Sequence, residues 1–436
     1  MREQAHGEAR RAETARTKTV AAPVGQRGEE SVLVAVIDRD RLRDGVAYAD
    51  RWVEYQQGLK DTPGVVVAVA LGEELLLSKG YGFADLERRT RMAPTHIFRI
   101  ASHSKTFTAT AIMQLVEGGR LRLDDPLGVS IPWLPGRLAG VTIRQALSHA
   151  AGIVRDGDDC DFWQLEQPFP DAAELRRLVE RSGDVLPANE RFKYSNLGYA
   201  LLGLVVEAAG GVPYQEYVRR HVIERLGLRD TGPETDDWAR LRLATGYTRP
   251  RFGLPRRAVL DVATGALAPA TGFYATAEDL CRYAAAHCLG NDALLSDAAK
   301  REMQQPYWAI EQSEGRYGLG FETTIVGERR LVGHGGGFPG HATRTQFDPT
   351  DRLVVVVLTN ESGGPARAFA DTVVKIIDFA LGKPALPAER SAEYARFAGR
   401  FVNAFGVLDV AHFGDALVAL NPEEDDPVKH VTELRV

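Results

Sequence analysis

Strand-forming residues in this chain fall into two groups far apart in sequence, and that separation limits the architectures open to it. Pro63-Gly64 opens an apolar run over residues 65–70. Gly72-Glu73 then separates it from a β-rich run that passes through 75–77 to Gly80-Tyr81-Gly82-Phe83. Two short β-rich runs around a tight polar turn predict a hairpin. Strand patterning returns only at residues 317–326, 329–332, 342–347 and 353–358. Joined, the two groups make one antiparallel sheet from the two ends of the chain, with everything between them inserted.

The intervening stretch reads as helix. Apolar residues recur at helical spacing over 106–116, which Gly118-Gly119 stops, and again over 142–149, 171–181, 196–209, 214–226, 276–288 and 296–305. Further helices are predicted before the hairpin at 40–57 and after the last strand at 366–379. The expected fold is α/β of the α+β kind: an antiparallel sheet flanked by helices, with an all-helical insert over about 106–310. The expected organisation is a disordered leader at 1–38, a main unit at 39–383 and a β-rich segment at 384–436. That last segment reads as the start of a separate, partial β-domain, since about 50 residues are too few for a complete barrel.

Composition excludes several functions. A formal charge of −6 arises from interleaved acids and bases with no basic block, which argues against a nucleic-acid partner. Cys160, Cys281 and Cys288 are odd in number and form no metal-type cluster, so they read as free thiols. The first thirty residues lack an apolar signal core, and no run reaches the length of a membrane span, so the expected location is cytoplasmic. No cofactor or metal is called for. Oligomeric state is left open.

Chemistry enters where the sheet first gives way to the insert, at Ser102-His103-Ser104-Lys105. A serine hydroxyl needs a base to become a nucleophile, and on a helix residues three apart share a face. Lys105 would have to be neutral part of the time, through desolvation by Ile100, Phe107, Ala109 and Ile112. A helix start would add free backbone N–H groups for an oxyanion. Alone, the tetrad reads as a capping serine with an exposed lysine.

Tyr194-Ser195-Asn196 stands directly before an apolar helix. Tyr194 could shuttle a proton and Asn196 could hold the lysine, while the plainer reading is a helix cap. His334-Gly335-Gly336-Gly337 falls between predicted strands, where it fits a flexible turn or a backbone surface with an N–H at Gly337 for an oxyanion. His334 and His341 lack a third ligand at metal spacing. A lipase-type reading of the His-Gly-Gly-Gly run fails because no Gly-x-Ser-x-Gly elbow follows it. In the acid-rich loop near 153–170, Asp156, Asp158, Asp159 and Asp161 read as a solvated surface.

In order, Ser102-x-x-Lys105, Tyr194-x-Asn196 and His334-Gly335-Gly336 resemble the three motifs of the serine β-lactamase and penicillin-binding-protein superfamily. The nearest resemblance is to the class C-related branch, with its family VIII esterases, D-aminopeptidases and DD-carboxypeptidases. Leu147-Ser148-His149-Ala150-Ala151-Gly152 and Gly272-Phe273-Tyr274-Ala275-Thr276 are similar to further family segments. The resemblance implies a β-lactamase/transpeptidase-like fold, with Ser102 as acylated nucleophile and Lys105 and Tyr194 sharing acid/base work. It further implies that Asn196 orients and that His334, Gly335, Gly336 and Gly337 line the substrate site. The C-terminal segment resembles the start of a lipocalin-like appendage. Where many β-lactamases have Lys-Thr-Gly, this chain has His334-Gly335-Gly336 and so lacks a charged grip on a substrate carboxylate. The expected activity is therefore cleavage of small esters or of D-amino-acid amides and peptides, with β-lactam hydrolysis weak or absent. An acyltransferase or peptide cyclase of the same fold, and a non-catalytic ligand sensor, remain open.

Overall fold

The structure, a computed structural model, describes residues 37–434 except 159, 252, 312 and 385–392. The expectation of a disordered leader therefore lies almost wholly outside the described residues.

The run Val65-Val66-Val67-Ala68-Val69-Ala70 is apolar on both faces because it forms a strand buried on both sides. This strand, β1 (Gly64–Leu71), pairs antiparallel with β2 (Glu74–Asp85), as the hairpin signal predicts. On its other edge it pairs with a late strand, Leu353–Thr359, in the register Val67↔Val357. Among the described residues, nine strands form one antiparallel sheet. Its larger late members are β3 (Glu322–Val326), β4 (Arg329–Phe338), β5 (His341–Phe347) and β6 (Leu353–Thr359), in the spatial order β2-β1-β6-β5-β4-β3.

Strand alternation divides the core. Val65, Val67, Val69, Val355 and Val357 face α1 (Arg39–Leu59) and the C-terminal helix Ala366–Leu381. Val66, Ala68, Val354, Val356 and Leu358 face the helical layer that lies between the two strand groups in sequence. Two helices of that layer matter for the site: α2 (Ser104–Glu117) and α3 (Asn196–Gly210).

Three local expectations are corrected. Residues 317–326 are not one strand, because Gly320 turns the chain at φ +85° and separates Arg316–Tyr317 from β3. The helix predicted over 214–226 is α-helical only from Tyr214 to Val218 before a wider turn at Arg219–Ile223. The glycine run 333–337 is strand, not loop, since β4 continues through it to Phe338. Two of its glycines serve close approach. A Cβ at Gly333 would lie 2.0 Å from Thr345 O, and one at Gly336 would lie 2.2 Å from Ile100 O.

At the C-terminal end, Gly399–Asn403, Gly406–Phe413, Ala416–Leu420 and Thr432–Leu434 form a four-stranded antiparallel sheet. It packs on α1 and does not stand apart: Ala411, Phe413, Val418 and Leu420 join the α1 cluster, and the Phe413 ring lies 5.7 Å from that of Tyr48.

Candidate active site

Ser102 sits in a single 3-10 turn, Ala101–His103, that leads into α2. The turn is forced by Ala101, a buried residue with φ +47°, in the left-handed region that side chains other than glycine adopt only at a cost. Ser104 Oγ donates to Ala101 O at 2.6 Å and accepts the Phe273 N–H at 3.0 Å, which fixes the bend. Ser102 itself is left partly exposed at the start of the helix.

One helical turn on, Lys105 is completely buried. Its Nζ lies 3.1 Å from Ser102 Oγ, 2.7 Å from Asn196 Oδ1 and 2.8 Å from Ala270 O. Burial pushes the Lys105 ammonium well below the ordinary lysine range, against the pull of Asp156. A neutral amine has two N–H groups and one lone pair. Two acceptors and the Ser102 hydroxyl match that inventory.

The Tyr-Ser-Asn segment combines both of its sequence readings. Ser195 is the N-cap of α3, its Oγ accepting the Gly198 N–H at 2.8 Å. Capping turns its two neighbours towards Ser102. The Tyr194 hydroxyl donates to Ser102 Oγ at 2.9 Å, and Asn196, the first helical residue, meets Lys105. Burial raises the Tyr194 phenol well above the ordinary range, so it keeps its proton.

Asn196 Nδ2 donates to Asp156 Oδ1 at 2.6 Å, which orients the amide with its oxygen on Lys105. Asp156 is 8% exposed and corrects the expectation of a solvated acidic loop, although Asp158 pairs at the surface with Arg181. Nothing in the sequence separates Asp156 from its acidic neighbours.

His334 projects from β4 beside the turn that bears Ser102. Its Nδ1 meets Gly335 O at 2.6 Å, so Nδ1 carries the proton and Nε2 accepts the Tyr317 hydroxyl at 3.1 Å. Burial lowers the imidazole to about 4. It is a neutral wall with both nitrogens engaged. His341 is remote in role, its Nε2 facing Ala244 O. Among the described residues, no three His, Cys, Asp or Glu side chains converge as a metal site.

Ser102, Tyr194, Tyr317, His334 and Gly335 to Gly337 line a cleft of about 500 Å3. Along it, β4 has an open edge. Its pairing with β3 ends at Glu322↔Gly333, so from His334 to Phe338 it pairs only with β5. An extended acyl chain can lie against such an edge. At the start of β3, Glu322 forms a part-buried ion pair with the buried Arg344 at 2.5 Å. Burial would raise the Glu322 carboxyl, but the adjacent Arg344 guanidinium outweighs it and holds it at about 2. Arg155 and Arg367, half exposed, stand at the rim beside Asp156 and Asp371. Tyr317, Glu322 and Arg344 were not legible as site residues because strand register brings them to the cleft, beside Ser102 and Tyr194 from distant parts of the chain.

Comparison with known proteins places the chain among relatives. Residues 49–378 match the beta-lactamase family. Protein flp of Staphylococcus aureus (strain MW2) is 25% identical over 332 residues, covering 73% of this chain and 63% of that protein. The match thus spans less than two thirds of that curated relative's length. The fold is shared with the octameric penicillin-binding protein homologue from Pyrococcus abyssi, at a TM-score of 0.68 and 24% identity over 89% of this chain and 90% of the other. The D-amino acid amidase from Ochrobactrum anthropi SV3 matches at a TM-score of 0.63 and 26% identity, over 76% of this chain and 96% of the other.

Proposed function

The chain belongs to the beta-lactamase family, and from that premise we propose that it is a serine hydrolase that forms an acyl-enzyme on Ser102 and cleaves esters or D-amino-acid amides. The observation that carries the reading is the position of Ser102 Oγ, 3.1 Å from the buried Lys105 Nζ and 2.9 Å from the Tyr194 hydroxyl.

Burial acts oppositely on the two partners and so divides their work. It favours the neutral amine at Lys105 and the neutral phenol at Tyr194. Lys105 is then the base that takes the Ser102 proton as Oγ attacks the acyl carbon, and Tyr194 is the acid that protonates the leaving oxygen or nitrogen. The proton held on Lys105 afterwards restores Tyr194. The N–H groups of Ser102 and Gly337 receive the oxyanion. Water, activated by the same pair, cleaves the acyl-enzyme and returns the proton to Ser102. Asn196, held by Asp156, keeps Lys105 in place.

What surrounds the serine supports this substrate class. His334 is neutral and has no free donor for a substrate carboxylate, and the rim arginines Arg155 and Arg367 are paired with Asp156 and Asp371. That disfavours β-lactams and supports uncharged acyl groups. The likeness to a D-amino acid amidase supports amides of D-amino acids among the acyl donors. The test is turnover of p-nitrophenyl esters and of D- and L-amino-acid p-nitroanilides, with Ser102→Ala as control. Equal turnover by wild type and Ser102→Ala would refute the assignment.

A further inference from the structure

We propose that His149 is a positioning residue that clamps Tyr194 against Ser102. The inference rests on the acyl-enzyme reading above and adds to it a residue with no contact to the reacting atoms.

The clamp holds both flanks of Tyr194. The Lys193 N–H donates to His149 O at 2.7 Å, and the Ser195 N–H donates to His149 Nδ1 at 3.1 Å. The residues immediately before and after Tyr194 are therefore tied to one side chain and its own carbonyl. The imidazole also packs on the Tyr194 ring, with centroids 4.2 Å apart and planes at 37°. Tyr317 at 4.7 Å, Tyr199 at 5.0 Å and Phe192 at 5.6 Å close round its remaining sides. Tyr194 can then rotate away from Ser102 only if this whole aromatic nest gives.

Two costs mark His149 as more than filling. Seven non-glycine residues among those described have positive φ, and only two of the seven are buried: Ala101, which sets the bend before Ser102, and His149 at φ +59°. Such strain persists where surrounding contacts over-determine it, and here it falls beside both partners of the Tyr194–Ser102 hydrogen bond, since Ala101 adjoins Ser102 and His149 packs on the Tyr194 ring. The second cost is at Nε2. Because Nδ1 accepts, the neutral ring carries its proton on Nε2, and Nε2 is buried with no hydrogen-bond partner. A residue kept for packing alone would need neither the strained backbone nor an unpaired donor.

The clamp is tested by a double-mutant cycle read as the rate of Ser102 acylation by p-nitrophenyl butyrate. His149→Gly suits the cycle, since glycine adopts positive φ freely and removes only the side chain. His149→Gly is expected to lower the burst-phase acylation rate constant at least about 30-fold with the substrate concentration that half-saturates the burst nearly unchanged, the scale of a displaced catalytic group. In a Tyr194→Phe background the same change should cost no more than about threefold, because the hydroxyl it positions is gone. His149→Asn keeps an acceptor for the Ser195 N–H and tolerates the backbone, so it should recover part of the loss. Equal losses in both backgrounds, or a loss confined to the half-saturation of the burst with its rate constant unchanged, would overturn the clamp while leaving the serine assignment intact. If His149→Gly does not fold, the cycle is run with His149→Asn under the same criteria. Absence of acyl-Ser102 in the wild type would overturn the acyl-enzyme reading and the clamp with it.

Discussion

Gly336→Ala tests how the sheet is fitted to the nucleophile. A Cβ at Gly336 would lie 2.2 Å from Ile100 O and 2.5 Å from Thr343 Oγ1. Ile100 O is not free to yield. It accepts the His103 N–H at 3.1 Å and meets His103 Nδ1 at 2.9 Å, two residues from Ser102. Restoring an ordinary carbon–oxygen contact requires β4 and the Ser102 turn to separate by about 1 Å, a displacement that can cost about 10²-fold in rate. The overpacking itself should lower stability by about 1–3 kcal/mol. Gly337→Ala is the matched control, since its Cβ would meet nothing within 4 Å. Its stability should stay within about 0.5 kcal/mol of wild type, with any kinetic effect carried by the cleft that Gly337 lines. Urea melts and the nitrophenol burst measure both quantities. A Gly336→Ala protein that melts and acylates like wild type would refute the close fit, and so would a Gly337→Ala protein that is equally destabilised.

The other predictions concern charge and protons. Lys105→Met and Tyr194→Phe should each slow acylation by at least about 10²-fold in the burst phase, and an unchanged burst in either would contradict the division of acid and base. The rate should rise with pH through the folded pKa of Lys105, well below the ordinary lysine range, and hold until Tyr194 ionises above the ordinary tyrosine range. Because Lys105 is depressed when folded, the unfolded chain binds more protons from that value up to about 10.4, so stability rises with pH across the window. Lys105→Met should reduce that slope in melts taken at several pH values, and an unaltered slope would show that Lys105 is charged when folded. Arg344→Met should lower stability by about 1–3 kcal/mol at pH 7 by leaving the part-buried Glu322 carboxylate without its partner. Adding Glu322→Gln should recover most of the loss, and a double variant no better than the single would contradict the pairing.

What could be read from the sequence was what lies close together in it. The hairpin of β1 and β2 follows from turn chemistry and apolar runs, and the sheet's two-part origin follows from the gap between those runs. Ser102 and Lys105 share one helical face, and Tyr194 to Asn196 share one helix cap, so each pair was visible as a local pattern. The glycine run was misread as a loop because its reason is tertiary: Gly333 and Gly336 are small to admit Thr345 O and Ile100 O from elsewhere in the chain. Asp156 was hidden among surface acids, since only α3 brings Asn196 to it. Glu322 and Arg344 flank β4 through strand register alone, which spacing does not encode.

The most direct test of the account is intact-protein and peptide-resolved mass spectrometry of the protein quenched during turnover of a slow p-nitrophenyl ester. The account predicts a single acyl adduct on the peptide that carries Ser102, absent in Ser102→Ala and slow to appear in Lys105→Met. An adduct on another residue, or turnover with wild-type rate in Ser102→Ala, would contradict it.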